Sequence, residues 1–438
     1  MTNAKLRAAV PGGRVLLPGD DGFEEAARPW NASVRQPVAA VVEPGDAREV
    51  AAVVKYAAQS GIPVAAQAGG HGAAGGTEGA ILLRTTRLGG VEVRPGERVA
   101  RVGAGVKWGE VLAEAGRHGL TGLAGSSPVV SVAGYTLGGG LSWFGRRHGF
   151  AADAVRAFDV VTADGEPVTV TAESDPELFW ALRGGGGDFA VVTAVEFALF
   201  PAPALYGGRV AWPEHRAREV FDAYRELTAE APDELSLWFG RVNLPNLPPM
   251  VTIDAAFLGE EREGRALLDR LGKIGDVLRD TRGPLAVADL GAITAEPVDP
   301  TPGRSRSELL TRLDDEVADL VLDAPLAPLA VAQVRHLGGA LAAARPDGGP
   351  GGPVAEPYLL YLLGPAFTPE LAEAAGERLR WFAGRLGERA SGRKPYTLLG
   401  YGERAAAAFT APVLERLRAI KRARDPRGVL RANYPVLA

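Results

Sequence analysis

Cysteine is absent from this chain, which rules out disulfides and thiolate metal sites. Lysine is nearly absent too: six lysines stand against 42 arginines, a bias that points to a GC-rich genome and says nothing about mechanism. No apolar run reaches the ~18 residues needed to cross a bilayer. The opening Met1-Thr2-Asn3-Ala4-Lys5 lacks the charged region and apolar stretch of a leader. The expected location is therefore the cytoplasm, with no membrane partner. A net charge of −5 supplies no basic footprint, so no nucleic-acid partner is expected. What remains is 438 residues, 46% apolar and 23% charged, the balance of a soluble globular protein. That length exceeds one ordinary domain, and two are expected.

Histidine is also sparse, and one of the five stands in a setting the others lack. Pro63-Val64-Ala65-Ala66-Gln67-Ala68 runs as a short strand into Gly69-Gly70-His71-Gly72-Ala73-Ala74-Gly75-Gly76. A loop so rich in glycine turns tightly and aims successive backbone N–H groups at an anion, here with an imidazole in its midst. The preceding chain reads as a β-α-β unit. An apolar strand spans 38–42, and Asp46 with Glu49 marks a helix start. Val50, Val53, Val54 and Ala57 share one face, Gly61 ends the helix, and 62–66 returns as a strand. Residues 1–37, broken by Pro11, Gly12, Gly13, Pro18 and Gly19, are expected to be irregular.

Three more glycine-rich turns follow: Gly103-Ala104-Gly105-Val106-Lys107-Trp108-Gly109, Gly134-Tyr135-Thr136-Leu137-Gly138-Gly139-Gly140-Leu141, and Arg183-Gly184-Gly185-Gly186-Gly187-Asp188-Phe189. The first follows a strand at 98–102 and opens a helix running to about Gly116. It is not a dinucleotide fingerprint, because its spacing departs from G-x-G-x-x-G and no acidic residue stands about 20 positions on. Four such turns on one half-chain point to a phosphate-bearing cofactor wrapped by backbone.

In that order, Pro37-Val38-Ala39-Ala40-Val41-Val42, Gly69-Gly70-His71, the Gly103–Gly109 turn, Leu137-Gly138-Gly139-Gly140 and Leu178-Phe179-Trp180-Ala181-Leu182-Arg183-Gly184-Gly185-Gly186-Gly187-Asp188-Phe189 resemble the FAD-linked oxidases of the vanillyl-alcohol oxidase superfamily. The likeness is to the PCMH-type FAD-binding, berberine-bridge-like branch of bacterial specialised metabolism. It is strong over 37–200 and 404–435, where Arg416-Leu417, Lys421, Asp425-Pro426 and Leu430-Arg431-Ala432-Asn433 match its tail.

The resemblance implies an α+β fold of two domains. One is an FAD-binding domain over 1–204, completed by 402–438; the other is a substrate domain over 205–401, whose antiparallel sheet roofs the flavin. It implies FAD joined through His71 to the flavin 8α carbon, with Ala68, Gly69, Gly70, Gly72, Ser127, Tyr135, Gly138, Gly139, Gly140, Val192 and Asn433 around the cofactor. Relatives with a second link carry Cys-Pro where this chain has Ser127-Pro128, so a single link is implied. Thr136, with Leu141 as an apolar wall and Ala133 leaving room opposite, matches the residues lining a space for O2. Tyr396 stands where a Tyr-x-Asn base is found, although Leu398 replaces the amide. The implied reaction is hydride transfer from a small alcohol, sugar or polyketide- or alkaloid-like substrate, with O2 as acceptor. The alternatives are an oxygenase of the flavin-N5-oxide type and a catalytically degenerate flavin-binding protein.

After Pro201 and Pro203 the pattern changes. A helix carrying Val220, Phe221, Tyr224 and Leu227 is followed by strands at 234–242 and 249–258. Helices at 260–275 and 305–322 and strands at 329–335 and 357–363 complete the layer. Trp238, Arg241, Asp254, Tyr358 and Tyr361 sit on these strands, and alternation alone leaves open whether each faces the cofactor or the core. His118, His148, His215 and His336 read as surface or helix-end residues. The proline- and glycine-rich stretch 345–353 is expected to be a mobile loop.

Overall fold

The computed structural model describes residues 2–438. The N-terminal segment, expected to be irregular, holds a helix Thr2–Ala9, a strand Arg14–Leu16 and a short helix Phe23–Ala27. Its prolines and glycines fall between these pieces. Tertiary contacts support what local propensity does not: Arg14–Leu16 pairs antiparallel with Ala40–Glu43, and Leu6, Val10, Leu16 and Phe23 are buried.

The β-α-β unit is present as read. Ala40–Glu43, Ile81–Arg84 and Val64–Gln67 lie side by side in parallel. Helix Ala47–Ser60 crosses between two of them and buries Val50, Ala51, Val53, Val54 and Ala57. Asp46 caps it by accepting from the N–H groups of Arg48 and Glu49, and Gly61 closes it at φ 70°. The C-terminal tail then adds itself to the open edge of this sheet. Val64 N–H donates to Val429 O at 2.7 Å, and Arg431 N–H donates to Val64 O at 2.8 Å. A second sheet of five antiparallel strands (Val91–Arg94, Val99–Gly103, Val191–Ala198, Val155–Val161 and Pro167–Val170, in that spatial order) shares a core with the first.

The third sheet has eight strands. Its long members are Tyr206–Pro213, Met250–Phe257, Leu235–Val242, Val331–His336, Tyr358–Pro365 and Gly303–Leu310, antiparallel and in that spatial order. Helices Ala217–Glu230, Asp315–Asp323 and Pro369–Leu386 cover one face. There Val220, Phe221, Val317 and Phe382 meet Leu237, Phe239, Ile253 and Leu360 in a separate core.

The helix expected at 305–322 is a strand followed by a shorter helix. The Arg304-Ser305-Arg306-Ser307 stretch has a period of two and pairs along its whole length with Tyr358–Pro365. The helix begins only where Asp314 accepts from Val317 N–H. Strand Tyr206–Pro213 was not anticipated, because Gly207 and Gly208 weaken its local signal.

Candidate active site

His71 is held from three sides. Its ring stacks on Trp30, centroids 4.2 Å apart and planes at 15°. Trp30 is fixed in turn by donating its backbone N–H to Gly69 O at 2.8 Å. Beneath them the buried Arg84 guanidinium donates to Ala26 O, Ala27 O, Arg28 O and Ala68 O, tying the Trp30 segment to the start of the glycine loop. Gln67 accepts from Arg84 at 3.3 Å and donates to Asn433 Oδ1 at 3.0 Å, which brings the tail to the loop. Gly70 sits at φ 79°, and a Cβ there would lie 2.8 Å from Pro29 Cβ, so this close approach requires glycine. Gly72 passes Asn433, whose amide nitrogen is 3.7 Å from where a Cβ would stand. Burial first, and the charge of Lys107 second, push the His71 pKa down to about 4. The imidazole is therefore neutral at pH 7, and its buried Nε2 has no hydrogen-bond partner among the described residues.

Lys107 also begins the path to the second part of the site. Trp108 N–H donates to Val130 O at 3.0 Å, and the Trp108 ring meets Tyr135 edge-on at 5.7 Å. Tyr135, Thr136 and Ala133 lie on helix Val132–Leu137, which opens into Gly138, Gly139 and Gly140. Thr136 is buried, and its carbonyl accepts from Gly139 N–H at 2.9 Å. The Ser127 and Tyr135 hydroxyls are buried without partners among the described residues. Val192 is buried opposite Val160, just before a register shift in its strand. The fourth glycine turn folds against the third, with Gly186 N–H donating to Leu137 O at 2.9 Å. Asp188, at the end of that turn, accepts from the tail's Ala432 and Val436 N–H groups. Lys421 donates to Asp188 O, Asp425 Oδ2 and Leu430 O.

Strand parity settles which roof residues face this centre. Trp238, Asp254, Arg335 and Tyr361 share the face turned away from the covering helices. Trp238 stacks on Trp143 of the cofactor half at 3.6 Å, and Leu141 packs in a cluster with Leu309 and Tyr361. Arg209 grips Asp254 through both carboxylate oxygens, at 2.5 and 2.8 Å. Arg241 and Tyr358 point the other way: Arg241 bonds Glu214, and the Tyr358 hydroxyl bonds Thr228.

Tyr396 does not have the environment of a base. Its hydroxyl donates to Tyr434 O at 3.2 Å, its ring packs on Phe409 and Tyr434, and burial raises its pKa well above the usual tyrosine value. The stretch 345–353 is tied down rather than free. Arg183 donates to Asp347 O, and Arg393 donates to Gly351 O and Pro353 O. His148, half-buried, ends the short helix Gly145–His148 and stacks on Phe200, in keeping with a helix-end residue, whereas His336 is buried on a strand and contacts Arg146, neither a surface nor a helix-end position. His215 and His118 lie at the surface beside Asp276 and Glu114. Trp30, Arg84 and Arg335 were missed in the sequence. Each matters through a partner far along the chain, for which no local signal exists.

Residues 38–171 match the family described as FAD binding domain. Across 97% of this chain and 98% of its own, the crystal structure of 6-hydroxy-D-nicotine oxidase from Arthrobacter nicotinovorans superposes with a TM-score of 0.84 at 24% identity. BBE-like 1 of Physcomitrella patens gives 0.87 over 98% of both chains at 19% identity. This chain thus carries an FAD binding domain, and over its whole length it has the fold of these two structures. In sequence, the chain is 37% identical over 209 residues to an FAD-dependent monooxygenase of Fusarium proliferatum, covering 46% of this chain and 40% of that one. It is 28% identical over 293 residues to (R)-6-hydroxynicotine oxidase of Paenarthrobacter nicotinovorans, covering 65% and 63%. The matched stretches thus span less than two thirds of these relatives' own length.

The residues present fit FAD. The Trp30 indole N–H, His71 Nε2, Ser127 Oγ and Tyr135 hydroxyl are buried polar atoms without a protein partner among the described residues, an arrangement that calls for a polar ligand. At Gly186, φ is 91° and a Cβ would stand 2.2 Å from the Tyr396 hydroxyl, so that turn closes only without a side chain.

Proposed function

We propose that this berberine-bridge-like protein is an FAD-dependent oxidase of a small organic substrate, with FAD attached covalently through His71 alone. The observation that carries the reading is the state of His71: neutral because buried, stacked on Trp30, and presenting an unpartnered Nε2 in a loop cleared of side chains. A neutral imidazole has the free lone pair that a nucleophile needs. When bound, FAD supplies the two-electron acceptor and the 8α carbon for the histidyl bond. Ser127 lacks the thiolate needed for a second link. In this reading residues 1–204 with 402–438 bind the cofactor, and 205–401 supply the roof. Trp238 and Tyr361 exclude water above the substrate, while Thr136, Ala133 and Leu141 leave small apolar room for O2.

The test is a visible spectrum followed by acid precipitation and peptide mapping. Yellow colour that stays with the precipitate, carried by one peptide containing His71, is expected. Flavin released wholly into the supernatant would refute the link. His71→Ala should still take up FAD, but release it in acid.

A monooxygenase outcome is favoured by one observation. Chains named FAD-dependent monooxygenase are 37% and 39% identical to this one over their matched stretches. Product mass after turnover under labelled O2 separates the two: label in the product means oxygenation, and label in peroxide alone means oxidation.

A further inference from the structure

Buried cations in this protein are almost all satisfied. Arg209 holds Asp254, Arg241 holds Glu214, Lys394 holds Glu308, and Lys421 holds Asp425. Arg84 and Arg146 are surrounded by backbone carbonyls. Arg335 differs. It is 8% exposed, at the middle of the roof and on the face turned to the cofactor half. Its Nε donates to Gln333 Oε1 at 2.7 Å, but no hydrogen bond engages either terminal nitrogen among the described residues, and no carboxylate lies within ion-pair distance. Its guanidinium carbon lies 4.0 Å from the ring centroid of Trp238 and 4.9 Å from that of Tyr361.

Two cation–π contacts return about 0.5–2 kcal/mol each, against an effective penalty of several kcal/mol for a buried, unpaired ion. The rings therefore orient the guanidinium plane without neutralising it. Its terminal N–H groups form the planar fork that matches a carboxylate through two parallel bonds. The Tyr135 hydroxyl, buried and unpartnered, lies within electrostatic reach and offers a further donor. The two carboxylates that also reach Arg335 electrostatically are Asp254 and Glu296. Asp254 is already gripped by Arg209, and Glu296 is exposed and out of contact.

We propose that Arg335 docks a carboxylate group of the substrate, so that the molecule oxidised here is an organic acid whose reacting carbon extends from the roof towards Leu141 and the Thr136–Gly140 segment. The idea rests on the oxidoreductase reading above for its assumption that a substrate lies between roof and cofactor. A phosphate is disfavoured: a dianion needs a second cation, and the neighbouring charges are Asp254 and Glu296.

The test is calorimetric titration of the purified protein with benzoate and phenylacetate, each beside its neutral amide, in wild type, Arg335→Gln and Arg335→Lys. A charge-assisted pair predicts that at least one carboxylate binds wild type more than about tenfold tighter than its amide. The preference should vanish in Arg335→Gln and survive in part in Arg335→Lys. Equal binding of acid and amide in both pairs overturns the proposal, as does an unchanged preference in Arg335→Gln. A changed flavin spectrum in that variant with the acid preference intact would also overturn it, by assigning Arg335 to the cofactor. Should Arg335→Gln fail to fold, the wild-type comparison and Arg335→Lys still decide. The titration needs no turnover, so colourless protein that prefers the acids defeats the flavin reading alone, and yellow protein with no preference defeats this one alone.

Discussion

Lys421→Met probes the knot that closes the site. The Lys421 ammonium lies 2.7 Å from Asp188 O, 2.8 Å from Asp425 Oδ2 and 2.8 Å from Leu430 O. The side chains of Lys421, Asp188 and Asp425 are 5%, 2% and 1% exposed. Methionine keeps most of the volume, so the loss is electrostatic. It leaves two buried carboxylates without their cation and two carbonyls without a donor. Breaking a buried pair from one side costs about 3–5 kcal/mol. Asp425 still accepts from Val429 and Leu430 N–H, and Asp188 from Ala432 and Val436, so the low end, about 3 kcal/mol, applies. A chain with two cores need not unfold in one step, which makes a local readout preferable. Hydrogen exchange at Val64 and Arg431, whose N–H groups join the tail to the first sheet, should quicken on the order of a hundredfold. Roof amides such as Phe239 should be unchanged. Lys421→Met combined with Asp425→Asn should recover part of the loss by removing one stranded charge. Exchange at Val64 and Arg431 within about threefold of wild type would refute the reasoning, because the charges would then be solvated on opening at little cost.

Gly70→Ala places a Cβ 2.8 Å from Pro29 at a φ of 79°, a strain of about 1–3 kcal/mol that falls on the Trp30–His71 stack. Its measure is the flavin-to-protein absorbance ratio, which should fall well below that of wild type while the roof core keeps its helical signal. The pH dependence of stability follows from three depressed imidazoles. Burial holds His71 and His148 down to about 4 and His336 to about 3. Each binds fewer protons folded than unfolded, so stability is fully present above about pH 6.5 and is lost as pH falls through 4 towards 3. Denaturant midpoints of flavin-free protein between pH 7 and 4 should decline steadily, and a flat profile would contradict the buried, neutral assignment.

What the sequence determined by itself was chemistry carried by neighbours in the chain. The β-α-β unit could be read because Asp46 caps its helix and Gly61 ends it, both within one turn of the residues they serve. The glycine turns stand out in the sequence for the same reason, and the resemblance to the family rested on them. The strand Gly303–Leu310 was misread because its identity lies in pairing with Tyr358–Pro365, from Leu310 opposite Tyr358 to Gly303 opposite Pro365, far along the chain. Trp30 looked like part of an irregular segment until the fold set it against His71. The roof shows the limit most plainly. Trp238, Arg241, Asp254, Tyr358 and Tyr361 all occupy strands, and a strand's alternation divides residues between two faces without saying which face is which. Only the docking of helices Ala217–Glu230, Asp315–Asp323 and Pro369–Leu386 on one side assigned Arg241 and Tyr358 to that side and left Trp238, Asp254 and Tyr361, with Arg335, on the opposite face, where Trp238 meets Trp143. Burial of an apolar helix face selects which side of a sheet is closed, and that selection exists only once distant segments have packed.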